Sequence, residues 1–339
     1  MIARSEIEAA IAELGAAPFR ARQVYRALSK DLAVDFDEMT VLPQRLRVAL
    51  AERLSPLTLE VVDTWRSPAG DTEKTLFATR DGHGVEAVLL RYPRRATVCV
   101  SSQVGCAVGC PFCSSGRLGF ARQLAAEEMM DQVLHCARLL RPERRRVTNV
   151  VFMGMGEPLL NADETLRACR LLNDPDGFAL GARALSVSTA GVVPGIERLT
   201  REAPQVNLAV SLHAGTDALR DRLVPLNRRF DLGAVFAACR RHVAATRRKL
   251  FFEWIVLPGV NDGDEQVAAA ASRLRRPLYH LNLIAYNAAG GGFRPPTRSE
   301  VESLRRRFEA AGVRCTVRRS PGTEIEAACG QLALRRLAR

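Results

Sequence analysis

Several absences bound what this 339-residue chain can be. No run approaches 18 consecutive apolar residues, so the sequence contains no simple membrane-spanning helix. Residues Met1 to Glu8 carry acids where a secretory leader would carry bases and an apolar stretch, which predicts a cytoplasmic protein with no membrane role. Aromatic residues are sparse, with four tyrosines and two tryptophans, so a partner cannot be held by extensive stacking. There is no internal repeat and no long low-complexity segment. The nine cysteines are odd in number and show no disulfide-like framework, which fits a reducing compartment where thiols serve metal or catalysis. Lysine is almost missing, with Lys30, Lys74 and Lys249 against a combined Lys and Arg count of 49.

What is present is globular. An apolar fraction of 47% and a charged fraction of 25% support a sizeable core. Basic residues exceed acidic ones by 49 − 37 = 12, and the isoelectric point is near 9.8. Arginines recur in groups, at Arg144 to Arg146, Arg228-Arg229, Arg240-Arg241, Arg247-Arg248, Arg305 to Arg307 and Arg335-Arg336. Such a surface suits a polyanion, through phosphate contacts and counterion release. The alternative is an arginine-rich composition displayed on solvated helix faces.

The sequence divides into four stretches. Residues 1–55 read as a small helical accessory domain, with Ser5 and Glu8 in capping-box spacing. Residues 56–91 read as a short antiparallel β extension, in which Thr75 to Thr79 and Val85 to Leu90 flank the turn signal Asp81 to Gly84. From 92 to 324, short apolar strands alternate with helical patterns. The strands are expected at 148–153, 185–189, 206–212, 250–257, 281–286 and 313–318, and Met129, Met130, Val133, Leu134, Ala137 and Leu140 mark one helix. This is an α/β pattern that predicts a partial (β/α) barrel, with reactive groups at the C-terminal ends of its strands. Asn287 to Thr297, with Gly290 to Gly292 and Pro295-Pro296, reads as a loop. Residues 325–339 form a C-terminal segment that includes Cys329. Thr323 and Glu326 have capping-box spacing, which predicts a helix holding that cysteine.

Cys106, Cys110 and Cys113 form a C-x3-C-x2-C run, the densest chemistry in the chain. Three thiolates this close can hold three irons of a 4Fe-4S cluster and leave the fourth iron open to an exogenous ligand. Zinc is the competing use, but a closed zinc site needs four ligands and usually two pairs. No second C-x2-C exists, and Cys99, near enough in sequence to be a fourth ligand, lies on a predicted strand. Cys136, Cys169, Cys239 and Cys315 fall on apolar faces and read as buried thiols. After the strand at 148–153, Gly156 and Glu157 place a glycine-flanked acid where it can accept from an amino group. Ser188, Ser211, His213 and Asn287 lie at later strand ends. Taken singly each is an ordinary strand-end hydrogen bonder, and His213 an ordinary interior histidine. On one barrel face they read as a cofactor-binding set.

Six motifs in order resemble the radical-SAM ribosomal RNA adenosine methyltransferase family of RlmN and Cfr. They are Arg95 to Cys106, Met153 to Asn161, Ser188 to Pro194, Val210 to His213, Pro258 to Asp262 and Glu326 to Leu332, and the resemblance covers nearly the whole chain. It implies one 4Fe-4S cluster on Cys106, Cys110 and Cys113, and S-adenosylmethionine bound by Gly156, Glu157, Ser188, Ser211, Leu212, His213 and Asn287. Two molecules of S-adenosylmethionine would be consumed per turnover. The first methylates Cys329; the second yields a radical that takes a hydrogen from the resulting S-methyl group. The carbon radical adds to adenine, Glu86 accepts a proton, and Cys99 attacks the sulfur of Cys329 to release the methylated base.

The implied substrate is adenosine 2503 of 23S ribosomal RNA, with an anticodon-loop adenosine of tRNA as a second target. Flavodoxin or ferredoxin would donate electrons to a monomer. Val104, where Cfr-like sequences can carry an extra cysteine, and Pro158 lean toward C2 methylation. Pro204 to Leu208, Leu278 to Ile284 and Tyr286 to Ala288 lean toward the C8 methylation of Cfr, linked to antibiotic resistance at the ribosome. An alternative of another class is a non-catalytic, zinc-stabilised RNA-binding protein.

Overall fold

The computed structural model describes residues 1–288, 292–318 and 321–332. Arg335-Arg336, the rest of 333–339 and the middle of the glycine loop therefore lie outside the described residues.

Three helices come first: α1 (Arg4–Glu13), α2 (Phe19–Ser29) and α3 (Gln44–Ala51). The start of α1 differs from the expected cap. The helix begins at Arg4, and the Glu6 carboxylate accepts from the Ala3 N–H at 2.9 Å, so Ser5 lies inside the first turn. Ile7, Ile11, Val24, Tyr25 and Leu28 face inward and merge with the core of the following domain. Tyr25 also donates to Asp174 across 2.9 Å. These helices thus cover the barrel wall and share its apolar interior.

The antiparallel strands β1 (Leu59–Arg66), β2 (Thr72–Thr79) and β3 (Gly84–Tyr92) continue into β4 (Arg95–Cys99). They belong to the same sheet as the barrel. A small ribbon, β5 (Gln103–Gly105) with β6 (Phe120–Gln123), encloses the cysteine loop and the short α4 (Ser114–Arg117). The alternating part follows as α5 (Ala126–Leu140), β7 (Asn149–Phe152), α6 (Ala162–Asn173), β8 (Leu185–Thr189), α7 (Val193–Glu202), β9 (Asn207–Ser211), α8 (Asp217–Leu223), α9 (Leu232–Thr246), β10 (Leu250–Val256), α10 (Asp264–Leu274), β11 (Tyr279–Ala285), α11 (Arg298–Ala310) and β12 (Cys315–Arg318).

The ten-stranded sheet runs β1-β2-β3-β4-β7-β8-β9-β10-β11-β12 and is parallel from β4 onward. Helical crossovers between neighbouring parallel strands curl the sheet into a partial barrel, as the alternating pattern predicts. On α5 the residues at helical spacing, Met129, Met130, Val133, Leu134, Ala137 and Leu140, are all buried against it. Among the described residues no hydrogen-bonded pairing joins the edge strands β1 and β12, so the sheet stays open. The C-terminal segment packs across this opening against Thr72 and Lys74 of β2 and against Asn287, just after β11.

The helix expected from Thr323 onward does not form. Thr323–Ile325 makes a single 3-10 turn, and Glu326 adopts a left-handed conformation with φ 53° that ends it. Local capping chemistry yields here to the way the segment lies across the open seam.

Candidate active site

Strand alternation sets the inner wall. Val88 pairs with Cys99 across β3 and β4, and Cys99 with Val151 across β4 and β7, so these three side chains share one face. Cys99, Met153, Arg318, Cys113 and Cys329 line a single cavity with Val88 and Leu90. The structure thereby brings together two thiols separated by most of the chain. Burial pushes the Cys99 thiol up to about 12, with the nearby Cys329 adding to the shift. Cys329 is solvent-accessible as a residue, yet desolvation raises its thiol as well, and Arg318 opposes that rise. Arg318 is held by Glu253 at 3.2 Å, and Asn282 donates to the other Glu253 oxygen at 3.0 Å.

An adjoining cavity is lined by Cys106, Cys110, Cys113, Gly156, Glu157, Ser188, Ser211 and His213, with Met153, Arg318 and Cys329 shared between the two. Glu157 is 3% exposed. Its carboxylate accepts from the Leu159 N–H at 2.9 Å and the Ala190 N–H at 2.6 Å, and its own N–H donates to Gln103 Oε1 at 2.8 Å. Desolvation nonetheless raises its pKa to about 7. The Thr189 side chain is a third hydrogen-bond partner of the carboxylate, and a cationic ligand on the remaining acceptor capacity would reverse that rise. Gly156 has φ 98°, and a Cβ there would lie 2.5 Å from the Gln103 side chain. Only glycine permits this approach of the β7 turn to β5.

His213 also has a left-handed backbone, with φ 60°. Its Nδ1 accepts from the Ile255 N–H at 3.1 Å, which leaves the proton on Nε2. Burial lowers its pKa to about 3, so the ring is neutral. Below the site lies Arg220, which is fully buried. It donates to the carbonyls of Ala190, Ser211 and Leu212 at 2.6, 2.9 and 3.1 Å and thereby ties the ends of β8 and β9 together.

Two expected cofactor residues lie elsewhere. The Leu212 side chain is in the main core and does not line the cavity. Asn287 faces the C-terminal segment, where it donates to the Cys329 carbonyl at 3.5 Å and accepts from the Thr323 hydroxyl at 3.4 Å. Glu86 is buried on the inner face of β3 and pairs with Lys74 at 3.1 Å. Arg318, Glu253, Arg220 and Lys74 were not singled out from the sequence. The available signal was a charged residue inside an otherwise apolar strand, as Glu253 is within Leu250–Val256.

The donor set fits an iron–sulfur cluster. Three soft thiols converge on one cavity, burial pushes Cys106 up to about 12 and raises Cys110 well above its ordinary value, and bound iron would supply the positive charge that thiolates there require.

Fold and site together define a radical SAM protein. The Radical SAM superfamily model matches residues 100–271, and the model of the ribosomal RNA large subunit methyltransferase N-terminal domain matches residues 2–55. The chain is 46% identical to the probable dual-specificity RNA methyltransferase RlmN of Chloroflexus aurantiacus, over 97% of this chain and 90% of that protein. It is 44% identical to the dual-specificity RNA methyltransferase RlmN of Syntrophobacter fumaroxidans, over 96% and 95%. The crystal structure of a radical SAM methyltransferase from Sphaerobacter thermophilus superposes with a TM-score of 0.93, at 47% identity and 97% coverage of both chains. The chain belongs to the RlmN family of radical SAM methyltransferases.

Proposed function

We propose that this protein methylates C2 of adenosine 2503 in 23S ribosomal RNA, and an anticodon-loop adenosine in tRNA, through S-methylcysteine at position 329. The observation that carries this reading is the shared cavity of Cys99, Cys329, Cys113 and Arg318. A methyl-carrying thiol, a resolving thiol and the edge of the cluster loop meet there. The similarity to dual-specificity RNA methyltransferases supports two RNA substrates.

Adenine C2 is not nucleophilic and cannot attack an electrophilic methyl group directly. Cys106, Cys110 and Cys113 would hold the cluster, which would supply the electron for reductive cleavage of S-adenosylmethionine to methionine and a hydrogen-abstracting radical. Glu157, Ser188, Ser211 and His213 hold that cofactor against the barrel face. Cys329 Sγ carries the methyl group taken from one S-adenosylmethionine, and its methylene then becomes bonded to the base. After the radical removes a hydrogen from the Cys329 methyl group and that carbon adds to the base, Glu86 takes the proton from the reacting carbon, and the unpaired electron left on the adduct would return to the bound cluster. Cys99, as a thiolate, attacks Cys329 Sγ: the S–S bond forms, the S–C bond breaks, and the released carbon gains a proton to become the product methyl group. Arg318 is the cation that favours thiolate at both sulfurs. The resulting disulfide returns to thiols by exchange with a reducing thiol of the cytoplasm. The protein works as a monomer and accepts electrons from flavodoxin or ferredoxin.

The test is mass spectrometry of nucleosides from unmodified 23S RNA, after anaerobic incubation with reconstituted protein, reductant and S-adenosylmethionine. The expected product is 2-methyladenosine. An 8-methyladenosine product, or none despite cofactor cleavage, would overturn the assignment. Cys329→Ala is expected to abolish methyl transfer, and Cys99→Ala to accumulate RNA covalently bound to protein.

A further inference from the structure

Lysine is rare in this chain, and of Lys30, Lys74 and Lys249 only Lys74 is buried, on β2 with its side chain 8% exposed. The compact ammonium reaches two groups. It pairs with Glu86 Oε1 at 3.1 Å and donates to the Glu326 carbonyl at 3.4 Å, three residues before Cys329. Its cross-strand position is fixed by the ladder: Lys74 pairs with Trp65 on one side and Val88 on the other, and Val88 pairs with Cys99. Lys74, Val88 and Cys99 therefore form one row on the inner face. The ammonium also lies 5.1 Å from the centre of the Trp65 ring.

The backbone of the carrier segment is shaped to this grip. Gly322 has φ 84°, and a Cβ there would meet the Thr72 side chain at 2.5 Å, so β2 also packs closely against the segment two residues before Lys74. Glu326, whose carbonyl Lys74 takes, is the residue with φ 53°.

We propose that Lys74 is a positioning residue that joins the proton-accepting carboxylate to the carrier segment, setting Glu86 and Cys329 in register across the substrate base. The inference rests on the role of Glu86 stated above. Lys74 touches neither reacting atom; it acts through Glu86 and through the peptide carbonyl of Glu326.

The test uses the full-length, cluster-loaded protein with Lys74→Met, which keeps most of the side chain's length and loses its charge, and Lys74→Arg, which keeps the charge. Methylation of Cys329, read by protein mass spectrometry without RNA, is expected in both variants, because it does not use Glu86. With RNA present, Lys74→Met is expected to accumulate the covalent RNA–protein adduct and release methylated RNA at least tenfold more slowly. Hydrogen exchange is expected to rise in residues 322–328 and stay unchanged in α5. Lys74→Arg is expected to recover part of the release. A merely structural role would lower stability without trapping the adduct. Release by Lys74→Met at the parent rate with no adduct would overturn the proposal, as would a Lys74→Arg variant as slow as Lys74→Met. Glu86→Gln separates the two readings: if it traps no adduct, the role of Glu86 fails first, and altered exchange at 322–328 in Lys74→Met still reports the grip on the carrier segment.

Discussion

At the scale of single residues, burial sets the chemistry. Glu157 sits in a dry turn where desolvation outweighs two backbone hydrogen bonds, and its carboxyl titrates near 7. A carboxyl raised in this way is neutral below that pH and can ion-pair with an ammonium only above it. Affinity of the cluster-loaded protein for S-adenosylmethionine is therefore expected to weaken as pH falls through about 7. Glu157→Gln is expected to bind roughly tenfold more weakly at pH 8, on the scale of one charge-assisted hydrogen bond, and to show no such pH dependence. Anaerobic calorimetry beside an iron assay checks both. Equal affinity in the two proteins would remove Glu157 from the cofactor site. The glycine-flanked acid was legible in the sequence, but its raised pKa follows from contacts with residues 159 and 190, which sequence spacing does not reveal.

At the scale of elements, the β7 turn and the β5 ribbon interlock through Gly156 and Gln103. Gln103 receives the Glu157 N–H and donates from Nε2 to Gln123 at 2.9 Å on β6, so one side chain links the acid to the ribbon around the cysteine loop. Gly156→Ala combines a left-handed φ with a Cβ inside that side chain's space and is expected to cost about 1–3 kcal/mol. Denaturant unfolding reads the loss, and cofactor affinity should fall with it. An unchanged midpoint would mean the ribbon yields freely. Strand positions were legible because largely apolar runs such as Leu250–Val256, interrupted only by Glu253, are what a strand covered on both faces requires. The missing helix after Thr323 was not, because a cap pattern describes only local backbone, and this segment's path is set by Lys74, Asn287 and Thr72 from distant strands.

At the scale of the whole molecule, three histidines are stored neutral in the interior. Burial lowers His135 and His242 to about 4 and His213 to about 3, against an ordinary value near 6.5. In the unfolded chain they take up protons first, so stability is complete above about 6.5 and is lost as pH falls from there toward 4. Each histidine fully within that window adds up to about 1.4 kcal/mol per pH unit to the slope. Urea midpoints between pH 7.5 and 4.5 should fall steadily, and His242→Gln, which removes one such group from the α9 interior, should flatten the curve. A pH-independent midpoint would contradict the neutral assignment.

The sequence by itself determined the alternation of strand and helix, the cluster loop and the family, because periodicity, cysteine spacing and motif order are properties of neighbouring residues. It also carried the basic surface, since charge is additive along the chain. Only the tertiary structure decided that Cys99 and Cys329 share a cavity, that Leu212 belongs to the core, and that Asn287 and Lys74 hold the C-terminal segment. Those relations join residues far apart in the chain, and no local pattern specifies which residues a curled sheet brings face to face.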